Sequence, residues 1–75
     1  MYNIAFYENG RFLTQLGGPV NTLPEALEQT KRFAARLDGK ELDVFYGFGF
    51  FRNDTPCAIV VLDRWGMPIL KVEED

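Results

Sequence analysis

The sequence predicts an α+β fold, a single small domain in which an antiparallel sheet has one helix packed on one face. Alternating apolar segments indicate strands on both sides of a single helical segment, and a helix-capping pattern precedes that segment. The dipeptide Asn9 and Gly10 is typical of a hairpin turn near the N-terminus. Because 75 residues are too few for two cores, we expect one domain over residues 1–75 with the element order ββαβββ.

The first two strands are predicted to form a hairpin around a type I′ turn, in which both turn residues have positive φ. A two-residue loop sets three cross-strand pairs: Glu8 with Arg11, Tyr7 with Phe12, and Phe6 with Leu13. Strand alternation then directs Ile4, Phe6 and Leu13 toward the core. It places Tyr7 and Phe12 side by side on the opposite face.

A helix is predicted to begin after Thr22, because Thr22 and Glu25 have the spacing of a capping box and Pro24 suits a first turn. Its apolar positions recur at helical spacing and form one stripe: Leu23, Ala26, Leu27, Thr30, Phe33, Ala34 and Leu37. We expect this stripe to pack on the sheet and the helix to stop at Gly39.

The remainder of the chain is predicted to be β structure. The predicted segments are a strand over residues 42–51, a turn over 53–56, a strand over 57–63, a turn over 63–66, a last strand over 68–72, and a frayed acidic end over 73–75.

Aromatic residues are the most informative part of the composition, since 15% of the chain is aromatic and residues 45–51 contain five of them. Alternation directs one set of this strand under the helix: Val44, Tyr46, Phe48 and Phe50. A single helix covers only one face, which leaves a second set without an evident covering layer: Tyr7, Phe12, Phe45, Phe51 and Trp65. Exposed apolar patches mark interaction surfaces, so we expect this face to meet a foreign protein or a second copy of the chain.

The same composition argues against catalysis and against metal binding. The chain has no histidine, and its one cysteine, Cys57, has neither a disulfide partner nor a histidine to activate it. We therefore expect no enzymatic activity and no cofactor, with Cys57 a buried small apolar residue. No secretory signal and no membrane span is evident, which favours a reducing cytoplasm. A net charge of −3 argues against nucleic acid as a partner.

Residues 47–51, Gly-Phe-Gly-Phe-Phe, resemble the RNP1 strand of RNA-recognition motif and cold-shock domains, whose aromatics stack on bases. The resemblance implies a small RNA- or ssDNA-binding module. However, Tyr46 occupies the position of the motif's basic residue, Asn53 that of its later aromatic, and the predicted element order differs. Nucleic-acid binding is therefore the alternative function, together with a homodimeric structural module.

A second resemblance involves the first hairpin, through the residues Asn3, Ile4, Ala5, Phe6, Tyr7, Glu8, Asn9 and Gly10. This segment is similar to the start of a hairpin in the small phage-encoded anti-CRISPR proteins of the type I-F class. The resemblance implies a protein-docking inhibitor that binds a type I Cas surveillance complex in the bacterial cytoplasm and blocks recognition or cleavage of target DNA. It also implies that Tyr7 contacts a Cas subunit. With the aromatic face, the predicted partner-binding set is Tyr7, Glu8, Arg11, Phe12, Phe45, Phe51 and Trp65.

Overall fold

The computed structural model describes residues 1–72, and the predicted acidic end over 73–75 lies outside the described residues. In the described part, the elements are β1 (Tyr2–Glu8), β2 (Arg11–Val20), α1 (Leu23–Ala35), β3 (Lys40–Glu41), β4 (Gly47–Arg52) and β5 (Thr55–Leu62). The predicted α+β class and the order ββαβββ are confirmed.

The described strands form one antiparallel sheet with the order β2-β1-β5-β4-β3. The first and last strands, β1 and β5, are therefore neighbours at the middle of the sheet. The helix α1 packs on one face, which is called here the covered face, and its core contains Ile4, Phe6, Phe50, Ile59 and Val61. The opposite face is called the open face.

The hairpin follows the predicted register only near its turn. Asn9 and Gly10 have φ values of 52° and 79°, and Glu8 pairs with Arg11 and Tyr7 with Phe12 as expected. Beyond this point β2 contains a bulge, so that Phe6 is opposite Thr14. The predicted pairing with Leu13 is wrong.

The bulge also decides which hairpin residues reach the core. Because the bulge inserts Leu13 as an extra residue, its side chain loses its place in the alternation and is 54% exposed. Its predicted core position is wrong. Ile4 and Phe6, on the regular strand β1, are buried as predicted.

The start of the helix is confirmed. The Thr22 hydroxyl accepts a hydrogen bond from the Glu25 backbone N–H at 3.3 Å, and Pro24 lies in the first turn. Ala26, Thr30 and Ala34 form the buried stripe, in which the Thr30 hydroxyl donates to the Ala26 carbonyl at 2.6 Å. This bond removes the cost of burying the hydroxyl group.

The end of the helix differs from the prediction in two ways. The helix ends at Ala35, so Leu37 is 41% exposed and Phe33, at the margin of the stripe, is 40% exposed. The left-handed residue after the helix is Asp38, with φ 53°, rather than Gly39. Gly39 is still required for packing, because a Cβ there would lie 2.9 Å from the Ala34 Cβ.

The predicted strand over residues 42–51 is wrong as a single element. The chain instead reverses direction between β3 and β4, which pair with each other, and the Leu42 N–H donates to the Gly47 carbonyl at 3.0 Å. Alternation along the sequence did not reveal this reversal, because the connecting residues continue the same apolar pattern.

The C-terminal part contains both predicted turns, and the first is shorter than predicted. The first is a two-residue turn at Asn53 and Asp54, whose φ values are 50° and 65°, so β5 begins at Thr55 rather than at residue 57. The second is confirmed, with the Gly66 N–H donating to the Asp63 carbonyl at 3.0 Å. The predicted strand over 68–72 is wrong, since only isolated bridges at Pro68 and Leu70 form there.

Candidate functional site

On the open face, residues that lie opposite one another on neighbouring strands form rows across the sheet. The row nearest its centre runs from β2 to β3 through Phe12, Tyr7, Ala58, Gly49 and Lys40. Side-chain size therefore falls from two aromatic rings to an alanine and a glycine before the row ends in Lys40. The low part of the row is the floor of a groove.

This groove has a volume of about 410 Å³ and is open to solvent along the sheet. Its lining residues are Tyr7, Gly10, Leu42, Phe45, Pro56, Cys57, Ala58, Val60 and Pro68. None of these lining residues is charged, and most of the lining is apolar. The groove thus has the size and character of sites that receive apolar ligand groups or side chains.

The groove has aromatic walls on both sides of its floor. On the β1 side the wall is Tyr7, and on the other side Leu42 and Phe45 pack over the open face. A Cβ on Gly49 would lie 3.0 Å from Leu42 Cδ2, so the glycine leaves the space in which Leu42 rests. The reversal between β3 and β4 therefore builds the second wall.

Tyr7 and Phe12 form the highest part of the open face, called here the aromatic ridge. Their ring centroids are 6.0 Å apart with an interplanar angle of 86°, an edge-to-face arrangement. Phe12 is 56% exposed on the edge strand β2, whereas Tyr7 is half-buried. Phe12 can thus project into a partner, while Tyr7 acts as a wall of the groove.

The other two predicted aromatic contact residues lie at opposite ends of the sheet. Phe51 lies opposite Pro56 at the hairpin end of the open face and is 76% exposed, so it extends the apolar surface beyond the groove. Trp65 lies in the turn after β5 and is 72% exposed. The Arg64 guanidinium covers its ring at 4.3 Å, and Trp65 does not line the groove.

The two charged residues of the predicted set are not on the open face. Glu8 follows Tyr7 on β1 and therefore points to the other side of the sheet, where its carboxylate binds Arg52 at 3.1 Å. The same Arg52 guanidinium lies 5.4 Å from the ring centroid of Phe6, a core residue of the covered face. Arg11, the cross-strand partner of Glu8, shares that side, so the polar edge predicted for the contact surface is not formed by this pair.

Two of the three aromatics of the RNP1-like segment, Phe48 and Phe50, are directed away from the open face, whereas Phe51 lies on it. Phe50 is 7% exposed and belongs to the core beneath α1. Phe48 lies in a recess with Leu27 of the helix. These two rings therefore lie on the helix side of the sheet, and Phe51 is the ring of this segment that the open face exposes.

Chemically reactive groups do not gather at the groove. Within residues 1–72, no group of three His, Cys, Asp or Glu side chains is arranged to hold a metal ion. Cys57 is buried, and its thiol lies 3.5 Å from the Thr55 carbonyl. No helix in the described part of the chain is long and apolar enough to cross a membrane.

Four residues that form the floor and ends of the groove were not predicted from the sequence: Pro56, Ala58, Val60 and Pro68. The first three occupy alternate positions of β5, so the sequence shows that they share one face, with the small Ala58 between two larger residues. What could not be seen was that β5 pairs with β1, which places Ala58 directly beside Tyr7.

The comparisons with known proteins identify no relative. No family model, no curated protein and no solved structure matches this chain. The function must therefore be argued from the geometry of the open face and from the short hairpin resemblance.

Proposed function

We propose that this protein is a protein-docking inhibitor that binds its partner through the open face of the sheet. The observation that carries the proposal is the uncharged groove between Tyr7 and Phe45, continued on one side by the exposed ring of Phe12. The usual anchors of protein interfaces are large aromatic side chains that become buried on binding and are surrounded by contacts that contribute little binding energy. A chain with one helix leaves such a surface uncovered, and a partner gains free energy by covering it.

A protein partner fits this surface better than a nucleic acid. Nucleic-acid binding needs Lys and Arg side chains along the contact face to neutralise phosphates, whereas the groove lining is uncharged and the chain carries a net charge of −3. Of the three rings that resemble an RNA-binding strand, Phe48 and Phe50 lie on the helix side, which leaves Phe51 alone on the open face. An apolar protein side chain needs none of these charges.

For the target, we propose a subunit of a type I Cas surveillance complex or its effector, whose occupation would block target DNA recognition or cleavage. The support is the likeness of the hairpin segment over residues 3–10 to type I-F anti-CRISPR proteins, together with the position of Tyr7 on the groove wall. On this proposal the protein acts in the cytoplasm of a bacterial host.

Phage plating on hosts with an active type I CRISPR system tests the target. Expression of the protein should restore plaque formation, and a tagged copy should retain Cas subunits in a pull-down. Failure to rescue phage in every type I host tested would remove the anti-CRISPR proposal. Recovery of RNA rather than protein with the tagged copy would support the nucleic-acid alternative.

Two substitutions and one matched control test the surface. Tyr7→Ala and Phe12→Ala should each weaken target binding by roughly 1–4 kcal/mol, the range of interface anchors. Trp65→Ala removes a more exposed aromatic ring that lies outside the groove and should leave binding unchanged. Full-strength rescue by the Tyr7→Ala protein would show that the partner binds elsewhere.

A further inference from the structure

The helix α1 differs in charge from the rest of the molecule. Residues 31–40 contain four basic residues and one acidic residue, which gives this segment a net charge of +3. The other 65 residues contain four basic and ten acidic residues and carry a net charge of −6. Half of the basic residues of the chain therefore lie in the last turns of one helix and directly after it.

Part of this charge lies in a depression on one flank of α1. The depression has a volume of about 440 Å³, is open to solvent, and is lined by Gln29, Arg32, Phe33 and Arg36. A Cβ added to Gly17 would lie 3.9 Å from Gln29 Oε1, so this flank of the helix is the one that lies over β2. Because α1 packs on the covered face, the depression is on the side of the molecule opposite to the groove.

The two arginines of the depression are poorly neutralised within the chain. Arg32 Nε lies 3.6 Å from the Glu28 carboxylate, beyond hydrogen-bond distance, and both side chains are more than half exposed. No acidic group of residues 1–72 lies within 4 Å of the Arg36 guanidinium. Arg32 and Arg36 are also four residues apart on the helix, so their like charges repel each other until an anion lies between them.

An exposed apolar surface lies next to these charges. Phe33 is 40% exposed, and Leu37, four residues later, is 41% exposed. A solvated anion gains nothing from a phenyl ring, whereas an anion that carries an apolar group can bury that group against it. The depression therefore suits a ligand that is both acidic and apolar.

We propose that this flank of α1, called here the helix site, binds a short acidic segment of a partner protein. Carboxylates of the segment pair with Arg32 and Arg36, whose planar guanidinium groups can bind a carboxylate through two hydrogen bonds. An apolar side chain of the segment packs on Phe33. From Gln29 to Arg36 the helix rises about 10 Å, which corresponds to about three residues of an extended chain.

A nucleic acid fits the helix site less well than a protein segment. Acidic residues border the site, since Glu25 lies one turn before Gln29 and Asp38 follows Arg36 by two positions. A continuous chain of phosphates would extend past the two arginines to these carboxylates and to the negative charge of the remaining molecule. A segment with two or three carboxylates ends before it reaches them.

The helix site goes beyond the proposed function and does not rest on it. None of its four lining residues lines the groove of the open face. A partner on the helix therefore leaves the open face free, and one molecule can bind two partners at the same time.

A nuclear magnetic resonance titration of the isotope-labelled protein tests the site. The probe is a capped peptide in which a phenylalanine has acidic residues on both sides. Its dissociation constant should be below about 1 mM and should increase when NaCl is raised from about 50 to about 500 mM, because salt screens exposed charges. Chemical-shift changes should be confined to residues 29–37 and their neighbours, and the signals of Tyr7 and Phe12 should not move.

Two arginine substitutions separate a local site from the effect of total charge. Arg36→Gln and Arg64→Gln each remove one exposed positive charge, so the two variants have the same net charge. Arg36→Gln should weaken peptide binding at least ~3-fold. Arg64→Gln, in the turn after β5, should leave binding unchanged.

A double-mutant cycle tests the apolar contact. Phe33→Ala should weaken binding of the peptide that contains phenylalanine, but not of a peptide with glycine in its place. Circular dichroism confirms that each variant is folded.

Three results of the titration would overturn the inference. The first is the absence of shifts in α1 at about 1 mM peptide, and the second is equal weakening by Arg36→Gln and Arg64→Gln. The third is equal binding of a peptide in which Asn and Gln replace the acidic residues. Tighter binding of a single-stranded oligonucleotide or of phosphatidylglycerol vesicles at residues 29–37 would also overturn it, because the site would then select phosphate.

Discussion

The covered and open faces of the sheet are made from alternate residues of the same strands, yet they differ in the size of their side chains. In β5, the covered face receives Ile59 and Val61, both almost fully buried, while the open face receives Ala58 between Pro56 and Val60. Helix and sheet fill the first side with interlocking aliphatic and aromatic groups. On the second side a groove remains.

This difference separates the requirements of stability from those of binding. Substitutions under the helix should be costly, because a close-packed core cannot relax around a lost group. On the open face, Ala5, Val60 and Leu62 are also buried, under Leu42 and Phe45. Substitutions at its exposed positions, Phe12 and Phe51, should cost little stability and should change association instead. Four predictions, ordered by expected size, test this separation.

The largest effect is expected for Ile59→Ala at the centre of the covered face, where Ile59 is 1% exposed. Removing its side chain leaves a cavity under the helix and should lower the free energy of unfolding by about 2–5 kcal/mol. Urea denaturation measures the loss, with Ile59→Val as a milder control at roughly 0.5–1.5 kcal/mol. An Ile59→Ala protein of unchanged stability would contradict the assignment of the core to this face.

The second prediction concerns two glycines on the open side of β4. A Cβ added at one would clash with backbone atoms, and a Cβ added at the other would crowd a side chain. A Cβ on Gly47 would overlap the Ile59 carbonyl and lie 2.8 Å from the Val60 Cα, both backbone atoms that cannot move aside. Gly47→Ala should therefore cost about 1–3 kcal/mol, in the range of overpacked sites.

Gly49→Ala is the matched case, because its Cβ would crowd only a side-chain atom, Leu42 Cδ2 at 3.0 Å, and would lie at an ordinary 3.7 Å from the Cys57 carbonyl oxygen. The end of a leucine side chain can rotate away, so we expect a cost below about 1 kcal/mol. Thermal denaturation of the two variants shows which of them loses more stability. Equal losses of stability would mean that the Leu42 side chain cannot rotate away from the added Cβ.

The N-terminal cap of α1 stabilises the helix that packs on the covered face, although Thr22 itself is exposed. Thr22→Ala removes the hydroxyl that accepts the Glu25 N–H and should cost about 1 kcal/mol. Thr22→Ser keeps the acceptor and should retain most of the stability. Chemical denaturation that finds the alanine variant as stable as the parent protein would show that the packing of the stripe, and not the cap, sets the start of the helix.

The smallest effect is expected on the open face, at Phe51. With 76% of its surface exposed, Phe51→Ser should change the free energy of unfolding by no more than about 0.5 kcal/mol. The same variant should nevertheless weaken target binding, because the ring extends the open face that is assigned above to the partner. A large loss of stability in the monomer would place Phe51 in the core rather than on a binding surface.

Local patterns in the sequence were sufficient for the parts of the fold that depend on neighbouring residues. Asn9 and Gly10 specify their turn because both residues accept positive φ, and Thr22 specifies the start of the helix because its hydroxyl reaches a free N–H. The same argument placed Tyr7 and Phe12 together, two residues from the turn on each side.

The prediction failed where the outcome depends on which strand lies alongside. The bulge at Leu13 and the chain reversal that brings Leu42 over Gly49 depend on which strand lies alongside, and the apolar alternation is compatible with both outcomes. The floor of the groove was missed for the same reason, since the pairing of Ala58 with Tyr7 joins the first strand to the last.

The sequence alone therefore determined the fold class, the turn, the cap and the existence of an aromatic surface, because these follow from φ preferences, short-range hydrogen bonds and apolar periodicity. Only the tertiary structure decided which aromatics are core and which are surface. Phe50 and Phe51 are adjacent and chemically identical, yet one is buried under the helix and the other is exposed. The side on which the helix packs makes that choice, because successive strand residues point to opposite faces and the helix covers only one of them.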